Sequence, residues 1–244
     1  MAETVTAMRE EEDGSADHAD GAQPERVKRP RVEDKWVDGL LQYLWRDRLT
    51  LVSDPRGVLA RGTGTGMWAA GEVLSDYFAD HEELCRGATC LELGAGIGVV
   101  GLTVAHLGAK VVVLTDVARQ IPLLEKNAAA NEFDGQVLVK ELDWTKEEQR
   151  CGLQWKGCWS LIVGSDIGYD PSLFEPLCET LREQCGDSTR VLLALADREE
   201  EGEPNVQDFL EAASPYFDAS VLLERRAEPH QSLTKILLLR QRRK

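Results

Sequence analysis

The chain has 244 residues, 43% of them hydrophobic, and a formal net charge of −15, which suits one buried core with or without a tail. No apolar run is long enough to span a bilayer, and the N-terminus lacks the apolar stretch of a secretory signal, so an intracellular protein without membrane attachment is expected. The acid excess argues against a large phosphate-backbone interface, which would need Lys and Arg, so no nucleic-acid partner is expected; a basic protein partner or plain solubility accounts for the charge.

Residues 1–34 are polar, acidic and then basic. They hold too little apolar surface to offset the entropy of ordering and read as a disordered tail ahead of one domain over 35–244. Within the tail, "KRPR" (Lys28–Arg31) is similar to a short basic nuclear-import signal, although such four-residue matches are common by chance and a plain solvated linker fits better. A cytoplasmic location, with nuclear entry as well, is the resulting expectation. After Trp36, "LTLV" and "GVLA" flank the turn-forming "SDPRG", which predicts an N-terminal β-hairpin. "GTGTG" (Gly62–Gly66) follows and is not a P-loop, since no Gly-Lys-Ser/Thr comes after it. Ala70, Val73, Leu74 and Tyr77 then recur at helical spacing over 67–78.

Beyond this, apolar runs alternate with amphipathic segments. "TCLEL" precedes a helix over 99–107 that Gly108 ends, "KVVVLTD" precedes a helix over 120–131, and "QVLVKELDW" and "WSLIVGSD" precede a helix over 172–184. "TRVLLALAD", a short helix over 206–213 and two strands near 217–223 and 235–239 close the chain. Continuous β-branched runs bounded by turns are what strands buried on both faces look like, and their alternation with helices predicts a doubly wound, Rossmann-like α/β sheet.

The stretch "CLELGAGIGVVGLTVAHLGAKVVVLTD" (Cys90–Asp116) carries the chemistry. Gly96, Gly98 and Gly101 fit the G-x-G-x-x-G pattern of a dinucleotide site, while Glu92 with Gly94, Gly96 and Gly98 fits the E-x-G-x-G-x-G pattern of an S-adenosylmethionine site. Asp116, eighteen residues after Gly98, can accept bonds from ribose hydroxyls in either case. Three features favour the adenosyl ligand. Glu92 can organise the glycine loop or meet the cationic end of the cofactor; Asp143–Trp144 offers a polar group and an aromatic face for adenine; and the chain ends too soon for the separate substrate domain usual in many dehydrogenases.

"ELGAGIG" together with "SDIGYD", in which Asp166 and Tyr169 form D-x-x-Y, resembles the seven-β-strand protein methyltransferases of family 16, with METTL21-like protein-lysine methyltransferases among them. The resemblance covers about residues 45–240, including "GMWAAGEVLSDY", Asp116 and "LDW". It implies a sheet of order 3-2-1-4-5-7-6 with the last-formed strand antiparallel, S-adenosylmethionine as cofactor, and a protein substrate that presents a lysine; the chain itself is expected to be a monomer. It also implies that Trp68, Gly94, Ala95, Gly96, Asp116, Trp144 and Ser165 contact the cofactor and that Asp166 and Tyr169 face the substrate. Gly168 departs from the bulky apolar residues frequent at its place. Methylation of another protein residue or of a small amine, a non-catalytic adenosyl-binding adaptor and an NAD-dependent reductase are the rival functions. Six cysteines, Cys85, Cys90, Cys151, Cys158, Cys178 and Cys185, form no C-x-x-C and have no histidine at ligand spacing, so no metal is expected.

Overall fold

The computed structural model describes residues 35–46, 48–133, 135–153, 155–197, 205–226 and 232–242. The sequence expectations for 1–34, including the import signal, lie outside the described residues. The elements are, in chain order, β1 (Lys35–Val37), β2 (Leu40–Trp45), β3 (Leu49–Ser53), α1 (Ala69–Asp80), β4 (Thr89–Leu93), α2 (Val99–His106), β5 (Val111–Asp116), α3 (Ile121–Ala129), β6 (Val137–Glu141), α4 (Glu147–Gly152), β7 (Leu161–Ser165), α5 (Phe174–Gln184), β8 (Arg190–Asp197), α6 (Val206–Ala213), β9 (Phe217–Arg226) and β10 (Leu233–Gln241).

Seven strands form one sheet in the order β6-β5-β4-β7-β8-β10-β9. β4, β5, β6, β7 and β8 run parallel to their neighbours, and β10 runs antiparallel to both β8 and β9. Numbered within the sheet, this is the 3-2-1-4-5-7-6 order that the resemblance implies. Successive side chains of the central strands enter opposite cores: Cys90, Val112 and Leu114 join the face covered by α1, α2 and α3, whereas Leu91, Leu93 and Val113 join the face covered by α5 and α6. Both faces exclude water, which is why these strands read as unbroken apolar runs. α2 is buried from Val99 to Ala105.

The N-terminal hairpin is present but displaced. β1, β2 and β3 make a separate antiparallel sheet, whereas "GVLA" forms no strand. The reason is Asp54, only 1% exposed, whose carboxylate accepts the Val58, Leu59 and Ala60 amides at 2.8, 2.6 and 2.8 Å. Those amides are thereby withdrawn from any ladder, and the chain curls. Burial would raise the Asp54 carboxyl, but the amides overcome it and hold it below the usual range. The true hairpin signal was the Asp38–Gly39 pair, both at positive φ (52° and 84°) between the paired residues Val37 and Leu40.

β3 has a free edge on the side away from β2. Asn127 of α3 and Asn131 just after it close that edge with side-chain amides. Asn127 accepts the Val52 N–H at 2.6 Å and donates to the Val52 carbonyl at 2.9 Å; Asn131 repeats the pair at Thr50, with both bonds at 2.9 Å. Four residues apart on a helix meets two residues apart on a strand, so the side chains imitate a neighbouring strand and dock the small sheet.

Candidate active site

β5 leaves β4 toward one edge and β7 lies on its other side, so the carboxyl ends of β4 and β7 border the switch point where open α/β sheets hold ligands. A cleft opens there. Gly94, Ala95, Gly96, Asp116, Asp143, Trp144, Ser165, Asp166, Tyr169 and Trp68, the expected contacts from five separate stretches of chain, all line it.

The glycine loop is built for close approach. Gly94 and Gly96 have φ of 60° and 56°, in the left-handed region that side chains avoid. A β-carbon on Gly94 would also come within 3.2 Å of the Trp144 ring. Asp116 holds the loop from β5: one carboxylate oxygen accepts the Gly96 N–H at 2.8 Å and the other the Val117 N–H at 2.7 Å. Burial raises the Asp116 carboxyl, opposed by these amides and by Arg119.

Two expected contacts lie elsewhere. Glu92 and Gly98 do not line the cleft. Glu92 is 1% exposed and its carboxylate accepts the Gly101 N–H at 2.8 Å, joining β4 to the first turn of α2. Of its two readings, loop organiser and contact to the cationic end of a cofactor, the geometry fits the first. Burial pushes the Glu92 carboxyl up to about 8, with the nearby Asp116 adding to the rise and the Gly101 amide opposing it. Gly98 is the N-cap of α2, at φ 81°.

One Asp143 carboxylate oxygen is held by Thr145, accepting the hydroxyl at 2.7 Å and the amide at 3.0 Å. Those bonds, the Thr145 hydroxyl first, hold it below the usual carboxylate range. The turn is braced by α4, an element beyond those expected from the sequence: Gln149 accepts the Asp143 N–H at 2.6 Å, and Arg150 donates to the Trp144 carbonyl at 2.6 Å and to Glu179 at 2.8 Å. Only the acidic pair Glu147–Glu148, at the start of "EEQRCG", hints at this helix in the sequence.

On the other side of the cleft, Asp166 follows β7 at φ 53°, and its N–H donates to the Ala194 carbonyl of β8 at 2.9 Å. A non-glycine residue in this region costs conformational energy and is over-represented at functional sites. The Tyr169 hydroxyl lies 3.2 Å from Thr63 Oγ1. Gly168 sits against Leu195, whose side chain a β-carbon there would approach to 3.2 Å, so close packing accounts for the glycine. Asp170 caps the turn before α5, accepting the Ser172 N–H at 2.9 Å.

The cleft also contains residues the sequence did not single out, among them Thr63, Gln120 and Ile167. Gln120 Oε1 and Trp144 Nε1 are buried polar atoms with no protein partner. An acceptor and a donor left unpaired in this way cost free energy unless a ligand completes them.

A seven-stranded sheet of this order, with an acid-held glycine loop at its switch point, defines the class of Rossmann-like methyltransferases. Two solved structures show the same fold: magnesium protoporphyrin IX methyltransferase from Synechocystis with bound S-adenosylmethionine (TM-score 0.53, 15% identity, 70% of this chain and 77% of that one), and ribosomal protein L11 methylase from Lactobacillus delbrueckii (TM-score 0.53, 19% identity, 77% and 84%). The family described as lysine methyltransferase matches residues 54–214, and the chain belongs to it. Similar proteins include EEF1A lysine methyltransferase 3 of Xenopus tropicalis, 28% identical over 176 residues (72% of this chain, 75% of that protein). Protein N-lysine methyltransferase METTL21A of Mus musculus is 34% identical over 142 residues (57% of this chain, 63% of that protein).

Proposed function

We propose that this cleft transfers methyl groups from S-adenosylmethionine to a lysine side chain of a protein substrate, with the chain acting as a monomer. One observation carries the reading: a single cavity gathers the glycine loop, Asp116, Trp144 and the Asp166–Tyr169 loop. The residues fit the adenosyl ligand. Asp116 keeps acceptor capacity on both carboxylate oxygens beyond its two amide bonds and suits a ribose diol. Gln120 Oε1 and Trp144 Nε1 supply the missing acceptor and donor, and the Gly94–Gly96 backbone admits the ligand where side chains would block it.

When bound, S-adenosylmethionine supplies an electrophilic methyl group, so the chain's own task is alignment and proton handling. A lysine ammonium has an ordinary pKa of about 10.4 and must lose a proton before it can attack. Desolvation in the cleft lowers that pKa. Asp166 orients the amine and serves as the candidate acceptor of the proton. The Tyr169 ring narrows the approach and offers a π face to the cation before deprotonation.

The test is incubation of the protein with labelled S-adenosylmethionine and total protein from cells lacking the enzyme, followed by mass spectrometry. Label on a lysine is the expected result. Label on another residue or a small amine would replace the acceptor, and binding without any transfer would make the protein an adenosyl-binding adaptor.

A further inference from the structure

The segment Gly62–Gly66, "GTGTG", has no part in the chemistry above, yet Thr63, Gly64 and Gly66 form one wall of the cleft. Its middle residue lies backbone against backbone on the glycine loop. A β-carbon on Gly96 would come within 3.2 Å of the Gly64 carbonyl oxygen, and one on Gly64 would overlap the side-chain amide of Gln120. Two facing glycines thus let this strap close over the loop.

Three bonds hold the strap there. The Thr65 carbonyl accepts the Asp54 N–H at 2.8 Å, the Thr63 carbonyl accepts the Trp68 indole N–H at 2.6 Å, and Thr63 Oγ1 lies 3.2 Å from the Tyr169 hydroxyl. Thr63 therefore touches two of the aromatic residues that line the cleft, Trp68 and Tyr169. Tyr169 belongs to the loop that carries Asp166, whereas Gly64 rests on the loop that Asp116 holds. The strap joins the two halves.

We propose that Thr63 is a positioning residue and the strap a latched cover: its closure retains the adenosyl ligand, and its catch is the Tyr169 hydroxyl. The proposal rests on the donor and acceptor assignment above. The phenol that latches the cover also narrows the acceptor channel, so closing over the donor fixes the ring in the position the lysine must pass. Release of the demethylated product requires the Thr63–Tyr169 bond to open. A neutral hydroxyl pair at an exposed rim has a modest net strength, which corresponds to roughly a 3- to 10-fold effect on opening.

The experiment is stopped-flow dissociation of S-adenosylhomocysteine from the full chain, displaced by excess S-adenosylmethionine. Thr63→Val, which keeps the shape and loses the hydroxyl, raises the dissociation rate about 3- to 10-fold and leaves association within about twofold. Tyr169→Phe gives the same increase, the double variant adds nothing to it, and Thr63→Ser returns the rate to that of the wild type. Gly64→Ala, which blocks closure without touching the catch, speeds dissociation as well. An unchanged rate in Thr63→Val, or increases that multiply in the double variant, would overturn the latch. Failure of the wild type to bind S-adenosylhomocysteine would instead overturn the donor assignment, and the latch with it.

Discussion

The centre of the donor half, from Glu92 to Asp116, is a contiguous stretch of chain whose polar atoms already bond one another or the next residue: Glu92 to the Gly101 amide, Asp116 to the Gly96 and Val117 amides. The acceptor half is assembled from afar. Thr63 and Tyr169 meet across 106 residues, at an exposed rim, beside an Asp166 held at positive φ. The Glu92–Asp116 stretch is pre-organised by buried and partly buried bonds inside one strand–loop–helix–strand unit. The acceptor half depends on two loops whose relative position sets what can enter, which is where specificity varies among proteins that share a scaffold.

If the halves are separable, substitutions should divide cleanly between rate and affinity. The largest effect belongs to Asp166→Asn, which keeps the shape but not the charge: turnover on labelled total protein should fall by a factor on the order of 10² to 10⁴. Wild-type turnover in this variant would remove Asp166 from proton handling and amine orientation. Asp116→Ala should come next. Loss of hydrogen bonds to a charged group weakens S-adenosylhomocysteine by about 1.5–3 kcal/mol, read by calorimetry, and unchanged affinity would take the carboxylate out of the donor site.

Glu92→Gln sharpens the comparison by perturbing the donor half from behind. The folded-state carboxyl of Glu92 is raised from 4.5 to about 8, so its contribution to stability is complete below about 4.5 and is lost as pH rises through about 8. Glutamine keeps an acceptor for the Gly101 N–H and cannot ionise. The variant should therefore match the wild type near pH 5 and melt higher above pH 8, each kcal/mol amounting to about 2–4 °C at this chain length. Parallel melting curves for the two proteins across that range would show that Glu92 does not titrate as placed. The smallest effect is expected from deleting residues 1–34, whose polar composition predicts few buried contacts: melting temperature and S-adenosylhomocysteine affinity should be nearly unchanged.

The same contrast governs what could be read from the sequence. β4, β5, β7 and β8 were legible because strands covered on both faces leave unbroken apolar runs, and the donor loop was legible because its glycines and acids are near neighbours in the chain. β1 and β2 carry a strong turn signal only in Asp38–Gly39, and "GVLA" reads as a strand because nothing local announces that the Asp54 carboxylate takes its amides. Asn127 and Asn131 closing the edge of β3 leave no trace in hydrophobic periodicity. Likewise, α4 is six residues long, and its importance lies in Gln149 and Arg150 bracing the Asp143–Trp144 turn, a tertiary relation. Thr63 escaped notice for the same reason: its partner lies 106 residues away.

The most direct test of a cleft divided into a donor half and an acceptor half is calorimetric titration of S-adenosylhomocysteine into the wild type, Asp116→Ala and Asp166→Asn under one set of conditions. The account predicts that Asp166→Asn binds within about twofold of the wild type while Asp116→Ala binds at least roughly tenfold more weakly. Equal losses in the two variants, or a wild type that binds NAD and not the adenosyl ligand, would contradict it.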